Sequence, residues 1–329
     1  MHHTKQLFAP LALLLNLAAL PGAMAAPAFH VEATIALPGE GKWDYANIDA
    51  VHQRLFVTHS SQVQVIDLKT RQLVGAIAGT DVPHGVDFAP ELNLGFISNG
   101  HANNVTVFAL DSLAIRQQVK VDGKNPDAIL YVPQSHQLYT FNGGSADVSV
   151  FDVPSMRLVN TIKAGGRPEF AVNDGAGHIF FNIEDKNAME MIDIASGKIA
   201  AHWALDGCEE PSGLALDNVH GRLFSVCKNQ RAVVTDARTG KRVAEFAIGT
   251  HPDAAVYDPA TATVYVSNGD SATLTIAHQV TPDRYEVLDN VATAVGAKTM
   301  AFDAATKHVY LPTAADGKMK VLVVNAAVK

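Results

Sequence analysis

The chain has 329 residues, 48% hydrophobic and 18% charged, with 24 glycines and two cysteines, a composition that excludes a disordered, collagen-like or disulfide-dense chain. Lys and Arg number 25 against 33 Asp and Glu, a formal net charge of −8. An acidic surface repels phosphate, so nucleic acid is disfavoured as a partner.

Residues 1–25 read as a secretory signal. Lys5 precedes an apolar run over residues 7–20, broken by Pro10 and Asn16, and Ala23-Met24-Ala25 supplies the small-x-small cleavage pattern. The run is shorter than the ~20 residues that span a bilayer, and no later segment approaches that length. Cleavage near Ala25 is therefore expected to release a periplasmic or secreted chain with no transmembrane segment, folded as one domain over residues 26–329.

From there an internal repeat organises the sequence. The pattern aromatic–aliphatic–small–polar begins at Phe56, Phe96, Tyr139, Phe180, Phe224, Tyr265 and Tyr310, at intervals of 40 to 45 residues. Each unit holds four short β-type runs, in the second unit over residues 85–89, 94–98, 105–110 and 115–121, with Gly, Asn, Asp and Pro between them. No apolar period of 3.6 persists for a helix length, which excludes βαβ units. Four strands repeated with this period, seven times, predict an all-β, WD40-like seven-bladed propeller. The seventh unit has room for only three strands. Residues 29–37 alternate as a strand should, and are expected to complete the last blade and remove its open edge.

Tyr265-Val266-Ser267-Asn268, the turns Asp193-Ile194-Ala195-Ser196-Gly197 and Asp236-Ala237-Arg238-Thr239-Gly240, and the openings Pro126-Asp127-Ala128, Pro168-Glu169-Phe170 and Pro252-Asp253-Ala254 together resemble the YVTN β-propeller repeat. Over about residues 29–326 the chain is similar to the YncE-like family of exported seven-bladed propellers, departing from the motif at Ile183, Cys227 and Thr313. The resemblance implies a fold and a place in the cell envelope, including a role as an accessory of periplasmic quinoprotein or respiratory metabolism. It does not assign an activity, because propellers carry unrelated functions.

Repeat position sorts the polar residues. Two loops of each blade are expected to converge on one face around the channel. Entrance positions are Asp44, His84, Asp127, Glu169, Ser212, Asp253 and Lys298; second-strand ends are His59, Asn99, Asn142, Ile183, Cys227, Asn268 and Thr313. The entrance set varies from blade to blade, as a ligand site does and a purely structural position does not. Asp44, His59, His84, Asn99, Asp127, Asn142, Glu169 and Asp253 are thus the candidate ligand-binding rim. The Asn residues alternatively satisfy turn backbone, and the acids alternatively lock neighbouring blades. Asp67, Asp152, Asp193 and Asp236 recur in turns, and His52, His136, His178, His220 and His308 recur on the opposite face.

No HExxH, CxxC pair, Walker loop or nucleophile elbow occurs. A divalent metal would find donors in His59 and His84 with a carboxylate, or, for a hard cation, in Asp44, Asn99, Asn142 and Glu169. Trp43 and Tyr45 either line a ligand mouth or plug the ring closure. Glu209 and Glu210 read as a proton-donating pair or as solvated charges, and Arg167 and Lys298 as an anion site or as partners of the rim acids. Cys208 and Cys227 fall on one face of blade five, and an oxidising compartment favours a disulfide between them. The competing reading is a free Cys227 thiolate serving as metal ligand or nucleophile. The leading expectation is an exported binding or scaffold protein that takes a small molecule, metal complex or envelope protein at the channel mouth. The alternative is a metal-assisted hydrolase or lyase using the same rim.

Overall fold

Val, Ile, Phe and Tyr alternate through runs of six to nine residues, and the chain answers with strands throughout, joined by tight turns and two short 3-10 segments. The computed structural model describes Met1, residues 29–314 and residues 317–326. The secretory signal and its Ala25 site lie outside the described residues. Phe29 to Ala327 form one compact unit, and no helix among the described residues is long and apolar enough to cross a membrane.

The strands build seven four-stranded antiparallel sheets. Strand β1 is His30–Ala36, and blade one follows with β2 (Trp43–Asp49), β3 (Arg54–His59), β4 (Gln62–Asp67) and β5 (Gln72–Ala78). Blades two to six are β6–β9 (83–120), β10–β13 (126–163), β14–β17 (168–204), β18–β21 (211–247) and β22–β25 (252–292). Blade seven is ordered β1-β28-β27-β26, with β26 at Ala301–Asp303, β27 at His308–Thr313 and β28 at Lys320–Asn325. The N-terminal strand thus closes the last blade, in antiparallel register from His30 opposite Asn325 to Ala36 opposite Lys320.

The aromatic residue of each repeat is buried between blades. Phe56 packs on Phe88 and Phe108 of the next blade with ring centroids 4.9 and 5.6 Å apart. Phe96 meets Tyr131, Phe224 meets Tyr257, and Tyr265 meets Phe302 in the same way. The small polar residue two places later anchors the inner strand. Ser98 Oγ accepts from the Gly85 N–H and donates to the Asp127 carbonyl of the neighbouring blade, and Asn182 donates to the Ser212 and Gly213 carbonyls. Periodicity in the sequence is therefore periodicity of the blade interface.

Cys208 and Cys227 are joined in a disulfide with Cα atoms 5.2 Å apart, so Cys227 carries no free thiolate. The bridge is buried between blades four and five with Phe180, Met189, Leu205 and Leu223. Replacing both cysteines by Ala should cost about 3 kcal/mol, the chain-entropy value for a loop of this size. The check is a lower denaturant midpoint in the double variant, together with an absence of reactive thiols in the denatured, unreduced parent.

Candidate functional site

Each inner strand of blades one to six carries a register shift just after its first residue, as between Trp43 and Ala46, Pro83 and Val86, and Pro126 and Ile129. A bulge leaves its extra residue outside the ladder and re-aims the side chain. The residues so released are Asp44, His84, Asp127, Glu169, Ser212 and Asp253; blade seven supplies Lys298 from the segment before β26. Proline opens five of these strands, at the inner edge where a missing N–H costs no ladder bond. The residue before it is left-handed at Val82, Asn125, Glu210 and His251, and Val82 and His251 both line the mouth.

The ring is a network of charges. His84 Nδ1 lies 2.5 Å from Asp44 Oδ2 and 3.8 Å from Asp127 Oδ1. Lys298 Nζ lies 2.6 Å from Asp253 Oδ2 and 3.5 Å from Asp44 Oδ1. Arg167 Nε is 3.8 Å from Glu169, and its Nη2 contacts Glu184. Ser212 is the neutral member and donates to the Pro252 carbonyl. Lys298 and Arg167 are therefore partners of the rim acids.

Crowding perturbs these groups. Burial, reinforced by Asp44, pushes the Asp127 carboxyl up to about 7. Burial also raises Asp253, against the opposing pull of Lys298. Burial pulls His84 down, but the Asp44 hydrogen bond and the Asp127 charge outweigh it and hold the imidazole above its usual value. Glu169 is raised furthest, by burial, by the Asp127 charge and by a hydrogen bond with Glu184.

That last shift has a testable sign. Folded Glu169 keeps a proton that the unfolded chain releases above its ordinary carboxylate range, so stability falls as pH rises from there towards the raised folded value. Glu169→Gln keeps the shape of the protonated acid and removes this loss. Its gain in stability over the parent should be near zero at pH 4 and reach at least about 1 kcal/mol by pH 8. Urea midpoints of both proteins across that range measure it, and a gain independent of pH would oppose the assignment.

Above the ring lies a recess of about 590 Å³. Trp43, Val82 and Pro83 give it an apolar wall, and Asp44, His84 and Lys298 a charged base; Lys42, His251 and Asp270 stand at its edge. It sits off the ring's centre, over blades one, two, six and seven. The Trp43 indole nitrogen is buried without a hydrogen-bond partner. Deeper in the channel, Tyr45 meets Phe170 edge-on at 5.5 Å, and both line a second cavity of about 250 Å³ with Asp87, whose carboxyl burial raises to about 6. The two aromatics flanking Asp44 thus divide the roles: Trp43 walls the mouth and Tyr45 obstructs the channel.

Of the sequence-derived rim, the structure brings Asp44, His84, Asp127, Glu169 and Asp253 together. His59, Asn99 and Asn142 do not join them. Asn99 donates to Asn104 Oδ1 and Thr106 Oγ1, and Asn142 to Asp147 Oδ1 and Ser149 Oγ, inside their own blades. His59 is buried beneath the Gly39–Glu40 backbone, its Nε2 3.2 Å from the Glu40 carbonyl oxygen. Glu210 pairs with Lys228 at 2.6 Å on the surface. On the opposite face, His52, His178 and His220 each hold the carboxylate of their own turn, Asp49, Asp174 and Asp217, at 2.6–2.7 Å. Sequence reasoning did not select Lys42, Val82 or Asp270, which belong to loops of varying composition; Lys298 carried a positional signal as the entrance residue of blade seven.

No family model matches the chain, and no curated protein sequence matches it. In fold it is similar to a chain of the Kuenenia stuttgartiensis hydrazine synthase, at 16% identity and TM-score 0.77, over 91% of this chain and 100% of that one. It is also similar to a chain of the mitotic checkpoint complex, at 13% identity and TM-score 0.80, over 96% and 98%. The WD40 repeats of RRP9 match at 8% identity and TM-score 0.77, over 91% and 99%. At such identities the likeness shows the fold alone, a seven-bladed β-propeller.

Proposed function

We propose that this chain is an exported YVTN-repeat propeller of the YncE-like kind, and that it binds a small molecule at the channel mouth. The observation that carries the reading is the recess itself, with an aromatic and aliphatic wall over a base of opposed charges. Its volume falls in the range of small-molecule sites, and a few convergent polar groups on an apolar surface are what such sites use to orient a ligand. The Trp43 ring lines the recess, which favours a ligand that lays a flat apolar part along it. The buried disulfide supports export to an oxidising compartment. The fold neighbours include a hydrazine synthase and a checkpoint assembly, so fold alone does not choose between catalysis and binding.

The test is a thermal-shift screen of envelope metabolites, followed by titration of the hits into the parent and Trp43→Ala. Truncating a central aromatic anchor costs about 2 kcal/mol or more of binding, so affinity should fall at least about thirtyfold while the variant still melts cooperatively. A hit that binds Trp43→Ala undiminished, or that protects the opposite face around His178 and His220, would place the site elsewhere.

A further inference from the structure

We propose that Asp44, His84 and Asp127 form a binding site for one first-row divalent cation at the base of the mouth. The inference rests on the reading of the mouth as the binding site and adds the chemistry of its floor. Three adjacent blades supply one donor residue each, and the donor atoms all lie within 4.8 Å of one another. Ligands ~2.1 Å from a shared ion are at most ~4.2 Å apart, so a small contraction closes the set.

The imidazole is turned for the task. Its Nδ1 faces both carboxylates, and its ring also hydrogen-bonds the Asn125 side chain, which lies beside Nε2 over Gly100. A histidine ligand characteristically donates its far N–H to such an oxygen, which leaves the near nitrogen bare towards the ion. Asn125 is itself held at both backbone groups: its N–H donates to Asn103 Oδ1 at 2.7 Å, and its carbonyl accepts from Gly143. Asp127 Oδ1 is buried and receives no hydrogen bond among the described residues, although it is the oxygen that faces Nδ1.

The donor backbones are fixed as well. The Asp44 N–H donates to Thr58 Oγ1 and its carbonyl accepts from Thr299 Oγ1, while the Asp127 carbonyl accepts from Ser98 Oγ. Lys298 pairs primarily with Asp253 and meets only the far oxygen of Asp44, leaving the Asp44 oxygen nearest His84 available. One imidazole with two carboxylates suits Zn²⁺ or Mn²⁺; Ca²⁺ takes six to eight oxygens. Asp44 and His84 line the recess together with Trp43, so a cation held by them would be reachable from the recess. The ligand class that follows is a small molecule with a metal-binding oxygen, such as a carboxylate, and an apolar body to lie on the indole.

Calorimetric titration of untagged, chelator-stripped protein with Zn²⁺ and with Mn²⁺ tests this. One equivalent should bind, and His84→Gln and Asp127→Asn should each weaken it by more than tenfold. Asn125→Ala, which removes no ligand, should weaken it by about tenfold. Melting curves identify any variant that fails to fold, and the parent titration is decisive without them. Absence of stoichiometric binding overturns the proposal, as does one equivalent that survives both His84→Gln and Asp127→Asn. Metal binding in a protein that takes no organic ligand would refute the small-molecule reading while sustaining this one.

Discussion

A chain lacking residues 29–37 should show no cooperative melting transition and no near-ultraviolet signature of fixed aromatic packing. Strand β1 serves two interfaces at once. Ile35 and Leu37 are buried with Leu55, Val57, Tyr310 and Val321 between blades seven and one. Phe29 and Val31 pack with Leu322, Val324 and Val309 between blades six and seven. Ile35 and Leu37, both buried, contribute roughly 3–6 kcal/mol together at 1.5–3 kcal/mol each, and the half-buried Phe29 and Val31 add to that before the ladder to β28 is counted. That is comparable with the whole stability of an ordinary domain, and the deletion also exposes β28 as an open edge. A permuted chain that carries residues 29–37 after residue 326 should recover the transition, since β1 needs its place beside β28 and not its place in the sequence. An unchanged melting temperature in the deletion would mean that β1 contributes nothing to closure.

Lys298→Met should destabilise the protein by about 2–3 kcal/mol at pH 8, and by clearly less at pH 5. The ammonium lies 2.6 Å from Asp253 and 3.5 Å from Asp44. Removing one partner of a largely buried pair leaves the other charge uncompensated, at a cost of several kcal/mol; the open recess above Lys298 places the expected loss at the low end. The pH dependence follows from the acids left behind. Asp127 and Asp253 already titrate above their ordinary range because of burial, and without Lys298 they hold protons to still higher pH. Protonation relieves the repulsion at pH 5 and is lost as pH rises, so the penalty grows in that direction. Asp253→Asn combined with Lys298→Met should recover part of the loss, and a double-mutant cycle from denaturant midpoints measures the coupling. A penalty equal at both pH values, with no coupling to Asp253, would show that Lys298 acts through packing alone.

The blade count and the strand-by-strand layout were legible because each is a local demand repeated seven times, and the closure by the N-terminal segment because the seventh repeat has room for only three strands. Every blade must bury one aromatic residue against the next, as Phe56, Phe96, Phe224 and Tyr265 do. The entrance ring was legible for the same reason. A bulge at a constant place in the repeat turns the same position into the channel, so alignment alone identifies Asp44, His84, Asp127, Glu169 and Asp253 as neighbours.

The second-strand ends were misleading because their role depends on a partner seven residues further on. Asn99 with Thr106, Asn142 with Ser149 and Asn268 with Thr275 are hydrogen-bonded pairs across one hairpin, and a hydroxyl at that constant offset was the signal of a structural asparagine. Other features depend on contacts with no sequence period. Tyr45 meets Phe170 across the ring although 125 residues separate them, and Trp43 faces a recess completed by Lys298 from the far end of the chain. The pairing of charges within the ring, His84 with Asp44 and Lys298 with Asp253, is settled by distances of a few ångströms among side chains on different blades. A repeat places residues on a common circle; which of them touch depends on side-chain length and on the one irregular blade, where Lys298 precedes a three-residue inner strand.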